Sequence, residues 1–235
     1  MSSTSHGILM SAEMICAYKL GLKTQTRRTR GLDEINQSPN DWKFERFVET
    51  GNRKRVFVME REAARFVHKD GTRFVDVRLP YGSAGSSLWF RETWKMWERN
   101  EDGKDFLHYR ADDEKVDPIW WSEYEWTRPD PVWFKKDVFK KWQPSMFMPK
   151  LCCRFSDVKV MNVRVERLWD ISGKDIRAEG YGAYLGGDVE FTEALRPQPW
   201  YFDLWDRLNG KTLPVISNPW VFVYEFPKLQ GSEVA

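Results

Sequence analysis

Eight consecutive residues, Gly21-Leu22-Lys23-Thr24-Gln25-Thr26-Arg27-Arg28, bring together one amine, two guanidinium groups and three hydroxyl or amide side chains, with no carboxylate among them. Two kinds of chemistry suit that set. The cations and hydroxyls can hold an anion such as a phosphate, or a lysine amine can take the proton of a threonine hydroxyl and turn it into a nucleophile. Threonine is weak in that role unless a base serves it. Lysine becomes such a base only where burial or neighbouring cations lower its pKa. Arg27, Arg28 and Lys19 are the neighbours on offer.

A helix and a strand must position these groups. Ser11 is placed to cap a helix in which Met14, Ile15, Tyr18 and Leu22 follow at helical spacing, and Gly21 ends it. A strand is expected from Thr24, with Thr24, Thr26 and Arg28 on one face and Gln25 and Arg27 on the other. Lys23 falls at the bend between helix and strand. On an unbroken strand Lys23 and Thr26 face opposite sides, so chemistry that joins them requires the backbone to turn near Thr24.

The rest of the chain supplies further elements. Residues 31–52 read as polar and turn-rich, with Ser38-Pro39-Asn40-Asp41 as a breaker. Strand-like runs follow at Val56 to Met59, Ala64 to His68 and Phe74 to Leu79, the last two joined by a hairpin through Asp70-Gly71. Leu88 to Trp94 is expected to pair with Phe106 to Ala111. From Asp112 to Lys141 no period holds, and the segment reads as an irregular insertion carrying Trp120, Trp121, Trp126 and Trp133. Ser156 to Trp169 is the longest strand candidate, and Asp170 or Ser172 caps a helix that runs through Ile176 and Ala178 to Gly180. Trp200 to Leu208 is a helix with Tyr201, Leu204, Trp205 and Leu208 on one stripe. Trp220 to Phe226 is a strand broken by Pro227. The sum is an α+β class, a small curled sheet or barrel with helices outside it. A single domain over residues 1–235 is expected, with insertions at 31–85 and 113–141.

Composition narrows the partners. The chain has 235 residues, a net charge of +2 and three cysteines. Cys152 and Cys153 are adjacent and Cys16 is left over, which argues against a disulfide framework and for a cytoplasmic location. His6, His68 and His108 are scattered, so neither a metal nor another cofactor is expected. The apolar runs are too short for a membrane span. Charge is uneven: residues 1–30 carry five bases against Glu13, a net +4, while residues 98–125 carry ten acids and four bases, a net −6. One cationic face, with the acidic region kept away from it, is the expected arrangement. Of the thirteen tryptophans, most belong in a core, and a few are available to stack on an unpaired base.

The spacing Gly21-x-Lys23-x-x-Thr26-x-Arg28 at the end of a helix resembles the signature of the ASCH family, small domains related to the PUA RNA-binding fold. Further blocks agree in order: Leu88-Trp89-Phe90-Arg91-Glu92-Thr93-Trp94, Tyr109-Arg110-Ala111-Asp112, Trp142-Gln143-Pro144-Ser145-Met146-Phe147-Met148-Pro149, Val163-Arg164-Val165-Glu166-Arg167-Leu168, Ala178-Glu179-Gly180 and Asn218-Pro219-Trp220-Val221. Spread from Leu88 to Val221, they look like the larger family members typical of phages and prophages. The resemblance implies a PUA-like β-barrel with a cleft over the turn after the first helix, and a role with RNA or modified nucleosides in the bacterial host cytoplasm. Small bacterial relatives hydrolyse the acetamide of N4-acetylcytidine with a lysine, a threonine and a later glutamate. The matching positions are Lys23, Thr26 and Glu179. Gly21, Thr24, Arg27, Arg28, Arg91 and Trp94 then fall to nucleic-acid or substrate binding.

On that scheme Thr26 attacks the amide carbonyl, Lys23 is its base, and Glu179 protonates the leaving amine or activates the deacylating water. Arg28 holds the developing oxyanion or a phosphate. The same residues also fit a binding module without turnover, in which Lys23 and Arg28 hold phosphates of single-stranded nucleic acid. A metal-independent ribonuclease is a further alternative. It lacks a histidine pair near the cationic turn.

Overall fold

The computed structural model describes residues 5–50, 61–98, 105–116, 141–184 and 197–229. The chain enters through β1 (Ser5–Leu9) and α1 (Ala12–Lys19). Ser11 caps α1, its hydroxyl accepting from the Met14 amide at 3.3 Å, and Ile15, Ala17 and Tyr18 form the buried side. Gly21 ends the helix in the left-handed region, φ 68°, where its N–H donates to Tyr18 and that of Leu22 to Ala17. A side chain at that φ would be strained, which is why a glycine stands there.

β2 (Gln25–Arg28) and α2 (Asp33–Gln37) lead into a meander of β3 (Trp42–Thr50), β4 (Arg61–His68) and β5 (Phe74–Arg78). Then come β6 (Ser87–Arg91), β7 (Trp94–Glu98), β8 (Asp105–Tyr109) and β9 (Lys115–Val116). The last part holds β10 (Val158–Lys159), β11 (Asn162–Arg167), α3 (Gly173–Ala178), α4 (Tyr181–Tyr184), α5 (Pro197–Asn209) and β12 (Trp220–Glu225).

Among the described residues the strands form four three-stranded sheets, β1-β6-β10, β11-β12-β2, β3-β4-β5 and β7-β8-β9, in a mixed α+β fold. β1 runs parallel to β6, and the other pairs are antiparallel. The chain passes straight from β10 into β11, with the Val160 amide donating to Ser86 and the Met161 amide to Glu225. This joins the first two sheets into one curled layer. Among the described residues the layer does not close: β1 and β2 share no ladder, and the expected barrel is an open sheet with a seam between these edges. The Arg28 side chain crosses the seam to the Leu9 carbonyl at 2.8 Å.

β12 is buried on both faces, which its unbroken apolar run Val221-Phe222-Val223-Tyr224 anticipates. Phe222 and Tyr224 face the main core with Ile8, Ile15, Tyr18 and Phe90. Val221 and Val223 face a second core with Ile176, Tyr201 and Trp205. The meander packs Trp42, Ala64, Phe66 and Val77 into the main core.

The first helix, the Asp70-Gly71 hairpin, the Ser172-capped helix, the Trp200 helix and the last strand stand where the sequence places them. Other expectations change. β1, α2 and β3 were not anticipated. Leu88 to Trp94 divides, so that β6 pairs with β1 while β7 takes β8, because Glu92 turns inward to Arg154 at 2.7 Å and interrupts the strand. Ser156 to Trp169 breaks at Val160-Met161. The acidic region is not kept apart from the basic N-terminal segment: Lys19 pairs with Asp112 at 2.5 Å and Glu114 at 2.8 Å. Val56 to Met59 and Trp120 to Trp133 lie outside the described residues. Among those described, no helix is long and apolar enough to cross a membrane, and no group of three His, Cys, Asp or Glu is placed to hold a metal ion.

Candidate functional site

The site is assembled by the end of α3. Ser172 and Asp175 form a reciprocal capping box that fixes where α3 starts, and the helix stops at Ala178. The Thr24 amide donates to the Ala178 carbonyl at 2.8 Å, and Lys23 makes an isolated antiparallel bridge with Glu179. The regular ladder of β2 begins only at Gln25. Lys23 and the Thr24 amide thus turn to the end of α3, while the Thr24 carbonyl still accepts from the Phe226 amide at 2.8 Å. Lys23 keeps to the Arg27 side of β2, so the turn that would bring it to Thr26 is not made.

Glu179 is followed by Gly180, whose φ of +103° is disfavoured for any side chain and whose added Cβ would stand 2.7 Å from that of Ala17. Gly180→Ala is expected to destabilise the protein by about 2 kcal/mol, since strain and overpacking each cost on the order of 1–3 kcal/mol. A lower urea midpoint at unchanged m is the readout.

Four ionic groups meet in the interior. Lys23 Nζ donates to Glu179 Oε2 at 2.8 Å and to the Glu179 main-chain oxygen at 3.0 Å. Arg27 donates through one terminal nitrogen to Glu179 Oε1 at 3.0 Å, and through Nε to Glu166 Oε1 at 3.1 Å, with its second terminal nitrogen on the same Glu166 oxygen. Lys23 is 0% exposed, Arg27 3% and Glu179 6%. Two cations against two carboxylates leave the set neutral, the condition under which burying them is tolerable. Arg164 and Asp175 extend the network at 2.9 Å.

Burial pulls the Lys23 amine below the usual lysine range; Glu179 opposes that pull, and the Arg28 and Arg27 charges add to it. These two arginines are the cations that act on Lys23. Lys19 is held instead by the acids of the β8–β9 loop. Arg27 stays protonated, because Glu179 and Glu166 outweigh its desolvation. Tyr201 of α5 is buried with its ring centre 5.7 Å from the Arg27 guanidinium carbon. Burial first and Glu179 second push its hydroxyl well above the ordinary tyrosine value, so it stays neutral. Glu166, Asp175 and Tyr201 are members of the site that the sequence reading missed. The only signal was a polar group on an otherwise apolar stripe, Tyr201 beside Trp205.

Burial pushes the Asp175 carboxyl up, but hydrogen bonds from Ser172 and Arg164 outweigh it and bring it down to about 2. The folded value lies below the ordinary ~3.9 of an unfolded chain. Its stabilisation is therefore complete above about pH 5 and is lost as the pH falls toward 2. The stability gap between wild type and Asp175→Asn, measured by urea unfolding, is expected to close between about pH 5 and pH 2.

Thr26 and Arg28 occupy the other face of β2, opposite Tyr224 and Phe222. Thr26 is 0% exposed. Its hydroxyl accepts from Arg28, which also donates to the carbonyls of Arg27 at 2.7 Å and Leu9 at 2.8 Å. The structure therefore brings Lys23 and Glu179 together, and no hydrogen bond joins either to Thr26. Above Arg28, along the open seam, lies a cleft of about 510 Å³ lined among others by Met10, Met14, Arg30, Trp205 and Asn209. That volume falls in the range of about 300–1,000 Å³ typical of small-molecule sites.

Gly21 and Thr24 act through their backbones. Arg27 is a member of the buried ionic set and is not free to hold a phosphate. Arg91 is half-buried, donating to the Met146 carbonyl and lying 5.0 Å from the Trp89 ring centre. Trp94 is fully buried in a third core with Met96, Leu107, Tyr109 and Met148, so it offers no face for a base, contrary to the binding role expected of it. Large apolar area drove it inward. No family model, curated protein or solved structure matches the chain.

Proposed function

We propose that the chain is an ASCH-family domain of PUA-like fold that recognises RNA or a modified nucleoside in the cytoplasm, and that it removes the acyl group of an N4-acetylcytidine-type nucleoside. One observation carries the reading: the Lys23 amine and the Glu179 carboxylate, 156 residues apart, meet at 2.8 Å in the interior. The reaction requires Lys23 to give its proton to Glu179 and turn toward Thr26 when the substrate binds, since the two lie on opposite faces of β2 in the free protein; Thr26 Oγ1 then attacks the acetyl carbonyl and its proton passes to the Lys23 amine. The carbon–nitrogen bond then breaks as N4 takes the proton held by Glu179, releasing cytidine. Water, deprotonated by Glu179, attacks the acetyl-threonine ester, and acetate leaves as the Thr26 oxygen takes that proton back. Burial lowers the pKa of Lys23, which eases transfer of its proton to Glu179, and Arg28, already on the Thr26 oxygen, is placed for the oxyanion.

The test is acetate release from N4-acetylcytidine by the full chain, compared with Thr26→Val. A second reading, a binding module without turnover, draws on the complete burial of Lys23 and Thr26. It expects salt-dependent binding of single-stranded nucleic acid and no acetate.

A further inference from the structure

Lys23 and Arg27 each have a carboxylate partner, and Arg28 has none among the described residues. Its guanidinium donates only to neutral acceptors: the Thr26 hydroxyl, the Arg27 and Leu9 carbonyls and, at 3.7 Å, the Met10 sulfur. Arg30, exposed on the same rim, makes no ion pair among the described residues either. Among the described residues lining the cleft there is no Asp or Glu, and the charged ones are Arg27, Arg28 and Arg30. Since Arg27 is neutralised by Glu166 and Glu179, the positive charge left facing the cleft belongs to Arg28 and Arg30. A half-buried guanidinium bonded only to neutral groups keeps its charge where solvent screens it poorly. Its planar fork matches the oxygens of a phosphate. The remaining lining differs in kind: Met10, Met14 and Trp205 offer apolar surface to a flat ring, and Asn209 a polar edge.

We infer that Arg28 and Arg30 form a phosphate subsite, so that the cleft favours a phosphate ester of a nucleoside over the free nucleoside. Arg28 is also the group that covers the Thr26 hydroxyl. A phosphate that engages its guanidinium competes with Thr26 for the same N–H groups, which couples filling of the subsite to uncovering of the hydroxyl. The cytosine half of the ligand rests on the proposed function. The phosphate half does not.

Calorimetric titration of the full chain at low salt tests this with cytidine, cytidine 5′-monophosphate, a cytidine trinucleotide and inorganic phosphate. The monophosphate is expected to bind about tenfold more tightly than cytidine, as one charge-assisted bidentate contact suffices for that. Arg28→Gln is expected to erase the advantage and Arg30→Gln to reduce it. Arg30 is exposed, so its variant keeps the test valid should Arg28→Gln fail to fold. Tighter binding of the trinucleotide assigns the phosphate to an RNA chain, and equal binding assigns it to a free nucleotide. Inorganic phosphate binding that is lost in Arg30→Gln, without any cytidine binding, upholds the subsite and removes the cytidine reading. Equal affinity for cytidine and its monophosphate, or a phosphate advantage unchanged in folded Arg28→Gln and Arg30→Gln, overturns the inference.

Discussion

Thr26→Val is expected to lower acetate release from N4-acetylcytidine by about 10³-fold or more, because it removes the attacking oxygen and little else. Valine keeps the β-branch that suits a strand and fills the same fully buried space opposite Tyr224. The lost hydrogen bond is the one accepted from Arg28, and Arg28 retains two carbonyl acceptors. The fold should therefore lose only about 1 kcal/mol, the usual net worth of one such bond. The loss should fall on kcat, with binding of the unreacted nucleoside little changed. A variant that turns over within tenfold of wild type would eliminate Thr26 as nucleophile. Wild-type protein that binds the ligand but releases no acetate would leave the binding module as the function.

Glu179→Gln is expected to cost about 3–5 kcal/mol of stability, the usual penalty for leaving one member of a buried ion pair without its partner. The carboxamide matches the carboxylate in shape but not in charge. Arg27 keeps Glu166, whereas Lys23, with no exposed surface, is left with neutral acceptors only. Adding Lys23→Met to Glu179→Gln should recover part of the loss, a coupling that a double-mutant cycle isolates. Urea unfolding followed by tryptophan fluorescence gives the midpoints. A cost below about 1 kcal/mol would mean that the lysine is neutral in the folded protein and that the ion pair is not what holds Glu179 in place.

Locally encoded features were legible. The Ser11 cap and the Gly21 stop lie within a few residues of what they satisfy, as do the Ser172 capping box and the Asp70-Gly71 turn. Features defined by a distant partner were not. β1 is five residues with Gly7 at its centre, too short to show a period, and it exists because β6 runs beside it. Glu92 looks like an ordinary strand residue until Arg154, 62 positions away, draws it inward. Alternation told which face each residue of a strand takes but not where the strand ends. Trp94 shows the same limit: its aromatic surface suits a core or a base equally, and only the packing of Met96, Leu107 and Met148 around it decides.

From Gly21 to Arg28 the sequence alone determined the inventory: a helix stop, a lysine at the bend, a threonine and an arginine on one face of a strand, a second arginine on the other, and no acid among them. Tertiary structure alone decided which of those cations are spent. Glu179 and Glu166 neutralise Lys23 and Arg27 because the end of α3 and the β11-β12 ladder bring them to β2 from about 140 to 156 positions away. Arg28 lies across the seam beyond their reach. The physical reason is that charge compensation depends on distance in space, and periodicity along the chain carries no information about which carboxylate will arrive.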